Sequence, residues 1–439
     1  MRFVDSIVDE LDLSEIESRY SANGRRAYAP RMLVKLLVYG TMRGIRSSRE
    51  LSRATKENIR VIFLVNKEQP DFRTINRFRK DFSEELAGIL KQTVRLGLKE
   101  GLITLETIAV DGTKLKAFAG KSSFKRVKDL EKELEKLDAE LEKLLEAGLS
   151  ADENEDDELG PDDDGDFHLP PDLVDKKART ARIRQALKEY ESIEGGKPEK
   201  MSTTDPECRF VGVGKREPGY NGQVSVDTSS GMVVGGYITK ESNDLKELNR
   251  NLSEVESLAG RLPKRLVADA GYGSYRGIFL AEERNVDVYV PLPERRREGF
   301  GLEKFLYNEA SDSYVCPEGR ELKRKNRTDK TYRTNYAIRN CGACVVRANC
   351  AGTGKGLGRL LSVSDYEGLV EKMREKMKTE LGKSMLKLRR CYVERLFGHL
   401  KYTKKFSQFL VRGRKRVEEV WNFEMAVLNL EILAGIRAS

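Results

Sequence analysis

The chain has 439 residues, of which 39% are hydrophobic and 34% charged, with a formal net charge of +9. That length allows several structural units with sizeable cores, and the charged share exceeds the roughly 25% of an average soluble protein. Ten acidic residues and no basic one lie between Asp152 and Asp166, so the rest of the chain is ten charges more positive than the total.

A basic body suits a polyanionic partner, because Lys and Arg that neutralise phosphates release condensed counterions. The opening MRFVDSIVDELDLSEIE carries acidic residues where a secretion signal needs an apolar stretch. No run approaches the roughly 18 apolar residues of a membrane helix. The expectation is a cytoplasmic, nucleoid-associated protein with no membrane partner. Six cysteines in such a chain do not read as a disulfide framework. With only two histidines, a metal site must rest on carboxylates or thiolates.

Residues 1–104 read as helical. Pro30 suits a first helical turn, and Met32, Leu33, Leu36, Leu37 and Tyr39 follow at helical spacing. Ser47 and Glu50 form a capping-box pair. After Pro70 and Asp71, Thr74 can cap a helix with Ile75, Phe78 and Phe82 on one side and Arg77, Arg79 and Lys80 on the other. A long helix spans Ser83 to Lys99, stopped by Gly101. Short helices ending in a basic amphipathic one resemble a helix-turn-helix reader, with Arg77 and Lys80 as candidate DNA contacts.

Strand character begins at Thr107 and meets Asp111-Gly112. Leu130, Leu134, Leu137, Leu141 and Leu144 alternate spacings of four and three, a short coiled-coil repeat. The acidic tract that follows reads as disordered. A basic helix from about Lys176 to Ser192 returns antiparallel, so 123–199 reads as a hairpin-like insertion. Gly222–Asp227 and Met232–Ile238 form a hairpin. Leu245–Ala259 reads as a helix, Arg265–Ala268 as a buried strand ending at Asp269, and Val286–Val290 as another strand. A basic segment holding four cysteines spans 300–365, and the remainder is helical.

Asp111 and Asp269 each follow a short apolar strand and precede a glycine-containing turn. If the two strands are neighbours, both carboxylates meet, and a hard divalent cation relieves their repulsion. The helical stretch Lys383–Leu400 adds Glu394. Arg390, Glu394 and Lys401 are spaced four and seven apart and share a face. Positive charge continues through Lys404 and Lys405, which join Arg390 and Lys401 as candidate DNA contacts. The spacing Cys316-x24-Cys341-x2-Cys344-x5-Cys350 suffices for a four-thiolate zinc site.

These blocks together resemble the DDE transposases of bacterial insertion sequences over nearly the whole length. YAPRMLVKLLVYG, GIRSSREL and PDFRTINRFR are similar to the helical domain that precedes the catalytic core in one large group of them. IAVDGTKLKA and LVADAGYGS resemble the two aspartate blocks, and GYNGQVSVD with GMVVGGYITKESND the hairpin between them. The glutamate block of such enzymes often reads Tyr-x2-Arg-x3-Glu-x6-Lys. Here Lys387 replaces the tyrosine, while Arg390, Glu394 and Lys401 match.

The resemblance implies an α/β fold with a ribonuclease-H-like core, a mixed sheet flanked by helices. Its first part would be 105–122, its second 200–299 and its helical end 366–439, interrupted by 123–199 and 300–365. It implies catalysis by Asp111, Asp269 and Glu394 with two Mg²⁺ or Mn²⁺ ions, Asp111 bridging both. It also implies double-stranded DNA as partner, cleavage of element ends, joining of 3′ ends to a target, and a homodimer once two ends are synapsed. The alternatives are a non-catalytic DNA-binding derivative of such an element and a metal-dependent DNA nuclease.

Overall fold

A computed structural model describes all residues except 1, 20–27, 157–170, 194–196, 213, 215, 293–298, 329–331, 352–357 and 439. For 144–156, 171–173, 351 and 437–438 only the backbone is described. Most of the acidic tract, and the expectation of disorder attached to it, therefore lies outside the described residues.

The centre is a six-stranded mixed sheet. Thr107–Lys116 lies between Glu217–Asp227, antiparallel to it, and Arg265–Val267, parallel to it. Asp287–Tyr289 extends the parallel side, while Val233–Thr239 and Arg209–Val211 pair with the outer edge of Glu217–Asp227. The first strand runs past Asp111 rather than ending there, since its second half pairs from Gly112 to Lys116. What ends near Asp111 is the parallel neighbour, whose last pair is Ala109 with Val267.

Both faces of the sheet are covered. Gly235 of the hairpin faces Val255 of the helix Leu248–Ala259, and the next residue, Gly236, faces Trp421 and Met425 of the terminal helix Arg414–Ala438. Trp421 is fully buried and donates its indole N–H to the Gln223 carbonyl at 3.0 Å. A Cβ on Gly222 would stand 2.9 Å from that indole, so only glycine lets the strand approach it.

The N-terminal helices share this core. Pro30–Met42 begins at its proline, and Ser83–Lys99 ends before Gly101 in the left-handed region. The Phe72–Asp81 helix is capped by Asp71 instead of Thr74, because the Asp71 carboxylate accepts from the backbone N–H of Arg73 and Thr74 at 2.6 and 2.9 Å. Buried Asn429 ties three elements together: its amide bonds both polar groups of the Val233 backbone and the Thr93 hydroxyl.

Two satellites stand apart from the core. Val127–Asp156 and Pro171–Glu191 form the antiparallel hairpin, with Leu130, Leu137, Ile183 and Ala186 buried between them. Their opposed directions follow from the antiparallel strands Phe124–Arg126 and Lys200–Ser202 at their base, and Arg179–Glu133 and Arg184–Asp138 ion pairs bridge them. The cysteine-bearing segment is a five-stranded antiparallel sheet, 306–308, 313–315, 321–328, 333–338 and 359–364. Its small core is Phe305, Tyr314, Leu322, Tyr336 and Leu361. No helix among the described residues is long and apolar enough to cross a membrane.

Candidate active site

Two residues past the last parallel pair on each strand stand Asp111 and Asp269, so they occupy facing positions at one end of the parallel pair. Asp269 turns the chain, accepting from the Gly271 N–H at 2.8 Å. Asp111 accepts from the Gly112 N–H at 2.8 Å. Alternate residues of a strand reach opposite faces. Asp111 therefore shares a face with Val224, and Gly112 shares the other with Gln223. A Cβ on Gly112 would lie within 3 Å of the side chains of Gln223, Asp244 and Asn221. The Asp-Gly pair is thus a strand position where another layer comes close, not a turn.

On the Asp111 face lies the helix Glu380–Gly398. Its Arg389, 7% exposed, places Nη2 at 2.6 Å from Asp111 Oδ2 and 3.4 Å from Asp269 Oδ2. Both carboxylates therefore converge on one guanidinium. Burial pushes the Asp111 carboxyl up to about 6, with the Asp269 charge adding to it; Arg389 and the Gly112 N–H act the other way.

Glu394 is exposed five residues further along the helix. Among the described residues no three carboxylates or thiols are assembled as a metal-ligand set. Arg390 and Lys387 are also exposed. Lys401 sits in a π-helical turn, His399–Thr403, half-buried near enough to Asp111 and Lys114 to feel both charges. Burial holds its ammonium below the usual lysine range, the Asp111 charge opposing this.

Lys404 corrects an expectation. It is fully buried, with its ammonium 3.0 Å from Glu431, so it is no surface cation for DNA. The π-turn shifts the residues after Leu400 out of α-helical phase and turns Lys404 inward. Lys405, Arg77 and Lys80 are exposed. Arg79 turns in and donates to the Arg46 carbonyl at 2.9 Å.

The opposite face carries a polar network absent from the sequence expectations. Asn221, Gln223, Ser225 and Asp227 are all fully buried at alternate positions of one strand. The Asp244 carboxylate accepts from Asn221 at 2.7 Å, Gln223 at 2.6 Å and Lys114 at 3.2 Å. Tyr272 donates to Gln223, and Asn251 bonds Gln223 and Ser225. The signal was the period-two polar stripe, which ordinarily means a solvated strand face; here it is a buried network.

The four cysteines come together around one small cavity, with Phe305, Ile338 and Val346 among the other walls. Cys316 closes a tight turn, and its sulfur accepts the Arg320 N–H at 3.3 Å. Burial pushes the Cys350 thiol up, and the three other thiols add to this while Arg359 opposes it. Cys208 is buried apart from them, and Cys391 is exposed.

Comparison with known families gives two matches. Residues 315–434 match the model of a transposase DDE domain, and residues 1–81 that of a transposase domain (DUF772). The first begins inside the cysteine-bearing sheet and runs through Arg389, Glu394 and most of the terminal helix. No curated protein matches the chain. Both ends of the chain thus match transposase domains, and two aspartates face each other on its central sheet, an arrangement consistent with a DDE transposase of insertion sequences.

Proposed function

We propose that the protein cleaves DNA at the ends of an insertion sequence and joins the freed 3′ ends to a target by phosphoryl transfer, with Asp111, Asp269 and Glu394 as catalytic carboxylates. One observation carries this reading: Asp111 and Asp269 meet at the same end of neighbouring parallel strands and share one guanidinium. The strand order, with a long antiparallel hairpin on one side of the first strand and parallel strands on the other, supports a ribonuclease-H-like core. The donor set fits a hard cation, since two carboxylates already converge on a positive group. Divalent ions held by Asp111, Asp269 and Glu394 would supply positive charge for the attacking and leaving oxygens.

The chain's own groups do the positioning. The rigid strands set the spacing of the aspartates. Lys401 lies near enough to Asp111 to feel its charge, and a phosphate approaching the aspartates would meet a cation whose partial burial strengthens the interaction. Arg390, within the helix Glu380–Gly398, and Lys405, after it, are exposed and would hold the DNA backbone, as Arg77 and Lys80 would in the N-terminal region. Synapsis of two ends would bring two copies together. The four cysteines would gather around a structural zinc ion, since all four residues border one cavity and a cation there would offset their mutual repulsion.

The test is incubation with supercoiled DNA carrying the element's own ends, with Mg²⁺ or Mn²⁺. Wild type should cut at the ends. Asp111→Asn, Asp269→Asn and Glu394→Gln should each bind the ends and cut at least 1,000-fold more slowly, on the order of what loss of one catalytic group costs. End binding without cutting by the wild type would instead indicate a DNA-binding derivative.

A further inference from the structure

Arg389 stands one residue before the arginine that matches the glutamate block, and that one step decides which side chain enters the site. It is buried, and its Nε donates to the Val110 carbonyl at 3.4 Å while Nη2 spans the two aspartates. A buried arginine is costly unless paired, and two carboxylates at this range repel each other. Each group here relieves the other. Glu394 lies five residues further along the same helix, so at about 100° per residue it projects roughly 140° away from Arg389. In this arrangement the helix offers the aspartates a positive group instead of its carboxylate.

We propose that Arg389 is a positioning residue, an internal counter-ion that keeps Asp111 and Asp269 facing each other while no divalent cation is bound and yields those oxygens when one binds. The inference rests on the divalent-cation reading above. Guanidinium and metal ion compete for the same two oxygens. Removing the guanidinium charge therefore weakens the resting arrangement and strengthens cation binding. An arginine with a merely structural role would lower stability without tightening cation binding.

The experiment measures Mn²⁺ binding without DNA, by electron paramagnetic resonance or calorimetry, in wild type, Arg389→Gln and Arg389→Lys. Thermal unfolding of the same samples is followed with and without Mn²⁺. Arg389→Gln should bind Mn²⁺ about tenfold or more tightly, because a unit charge beside the ion is gone, and Mn²⁺ should raise its Tm more than it raises the wild type's. Arg389→Lys keeps a charge but has no planar fork to span two carboxylates and a carbonyl, so its gain should be smaller. Unchanged or weaker Mn²⁺ binding in Arg389→Gln overturns the proposal, as does the same result in Arg389→Lys should the glutamine variant not fold. An Asp111→Asn/Asp269→Asn double variant separates the two failures. If it binds Mn²⁺ as wild type does, the divalent-cation reading falls and takes this proposal with it. If it loses binding while the Arg389 variants bind as wild type does, only the counter-ion role falls.

Discussion

Lys401 and Lys404 lie three residues apart, yet burial gives them opposite tasks. Lys401 is half-buried within reach of the Asp111 charge, and Lys404 is enclosed against Glu431. Lys401→Ala should weaken binding to end-bearing DNA and lower the slope of log affinity against log salt by about one for each phosphate it no longer neutralises. Lys404→Ala should leave that slope unchanged and cost roughly 3 kcal/mol, because Glu431 is left without its buried partner. Affinity at several salt concentrations, with denaturant melts of both variants, separates the two. Asp205 offers a test of pH dependence. Burial holds its carboxyl above the ordinary 3.8, although Tyr220 donates to it at 2.7 Å. A carboxyl whose folded pKa is raised favours the fold at low pH, and that contribution is lost as pH rises through the raised value. Asp205→Asn should flatten the fall of stability above about pH 4, as urea unfolding at a series of pH values would record.

At the scale of elements, the cysteine-bearing sheet has the weakest claim to stand on packing alone. Five strands share a core of five buried side chains, and the strand Glu321–Thr328 is exposed at nearly every position. Small cores of that kind usually need a staple. Purified protein should therefore contain about one zinc per chain, and a Cys341→Ser/Cys344→Ser double variant should lose it together with the order of this sheet. Elemental analysis and amide hydrogen exchange over 306–364 are the measurements; equal zinc in both proteins would exclude the site. The leucine hairpin has a small apolar seam of its own. Its heptad spacing buries Leu130 and Leu137 against Ile183 and Ala186, and charged pairs flank the seam.

Across the whole molecule, the N-terminal helices and the central sheet are not independently packed. One continuous core runs from Val4 to Leu433. Arg46 crosses between them, pairing with buried Glu424 and lying 4.1 Å over the Phe406 ring. Removing it leaves a carboxylate that is 4% exposed without its cation. Arg46→Ala should cost about 3–5 kcal/mol. Because the core is shared, the loss should appear in one transition reported alike by Trp421 fluorescence and by far-ultraviolet circular dichroism. Two separated transitions would show that the N-terminal helices unfold by themselves.

Local patterns in the sequence determined much of this molecule. Helical periodicity placed Pro30–Met42 and Ser83–Lys99, and strand runs beside glycine placed Asp111 and Asp269, because spacing and turn residues act through near neighbours in the chain. Tertiary structure alone decided the rest. One residue is about 100° of helix, so which of two adjacent arginines meets the aspartates depends on how Glu380–Gly398 settles on the sheet. The alternating polar residues of Glu217–Asp227 look like a solvated face until Leu248–Ala259 and Tyr272 cover them. Lys404 reads as one more surface cation until a π-turn carries it to Glu431. In each case burial is set by what packs from elsewhere in the chain, and burial decides whether a polar side chain serves DNA, a metal or the fold.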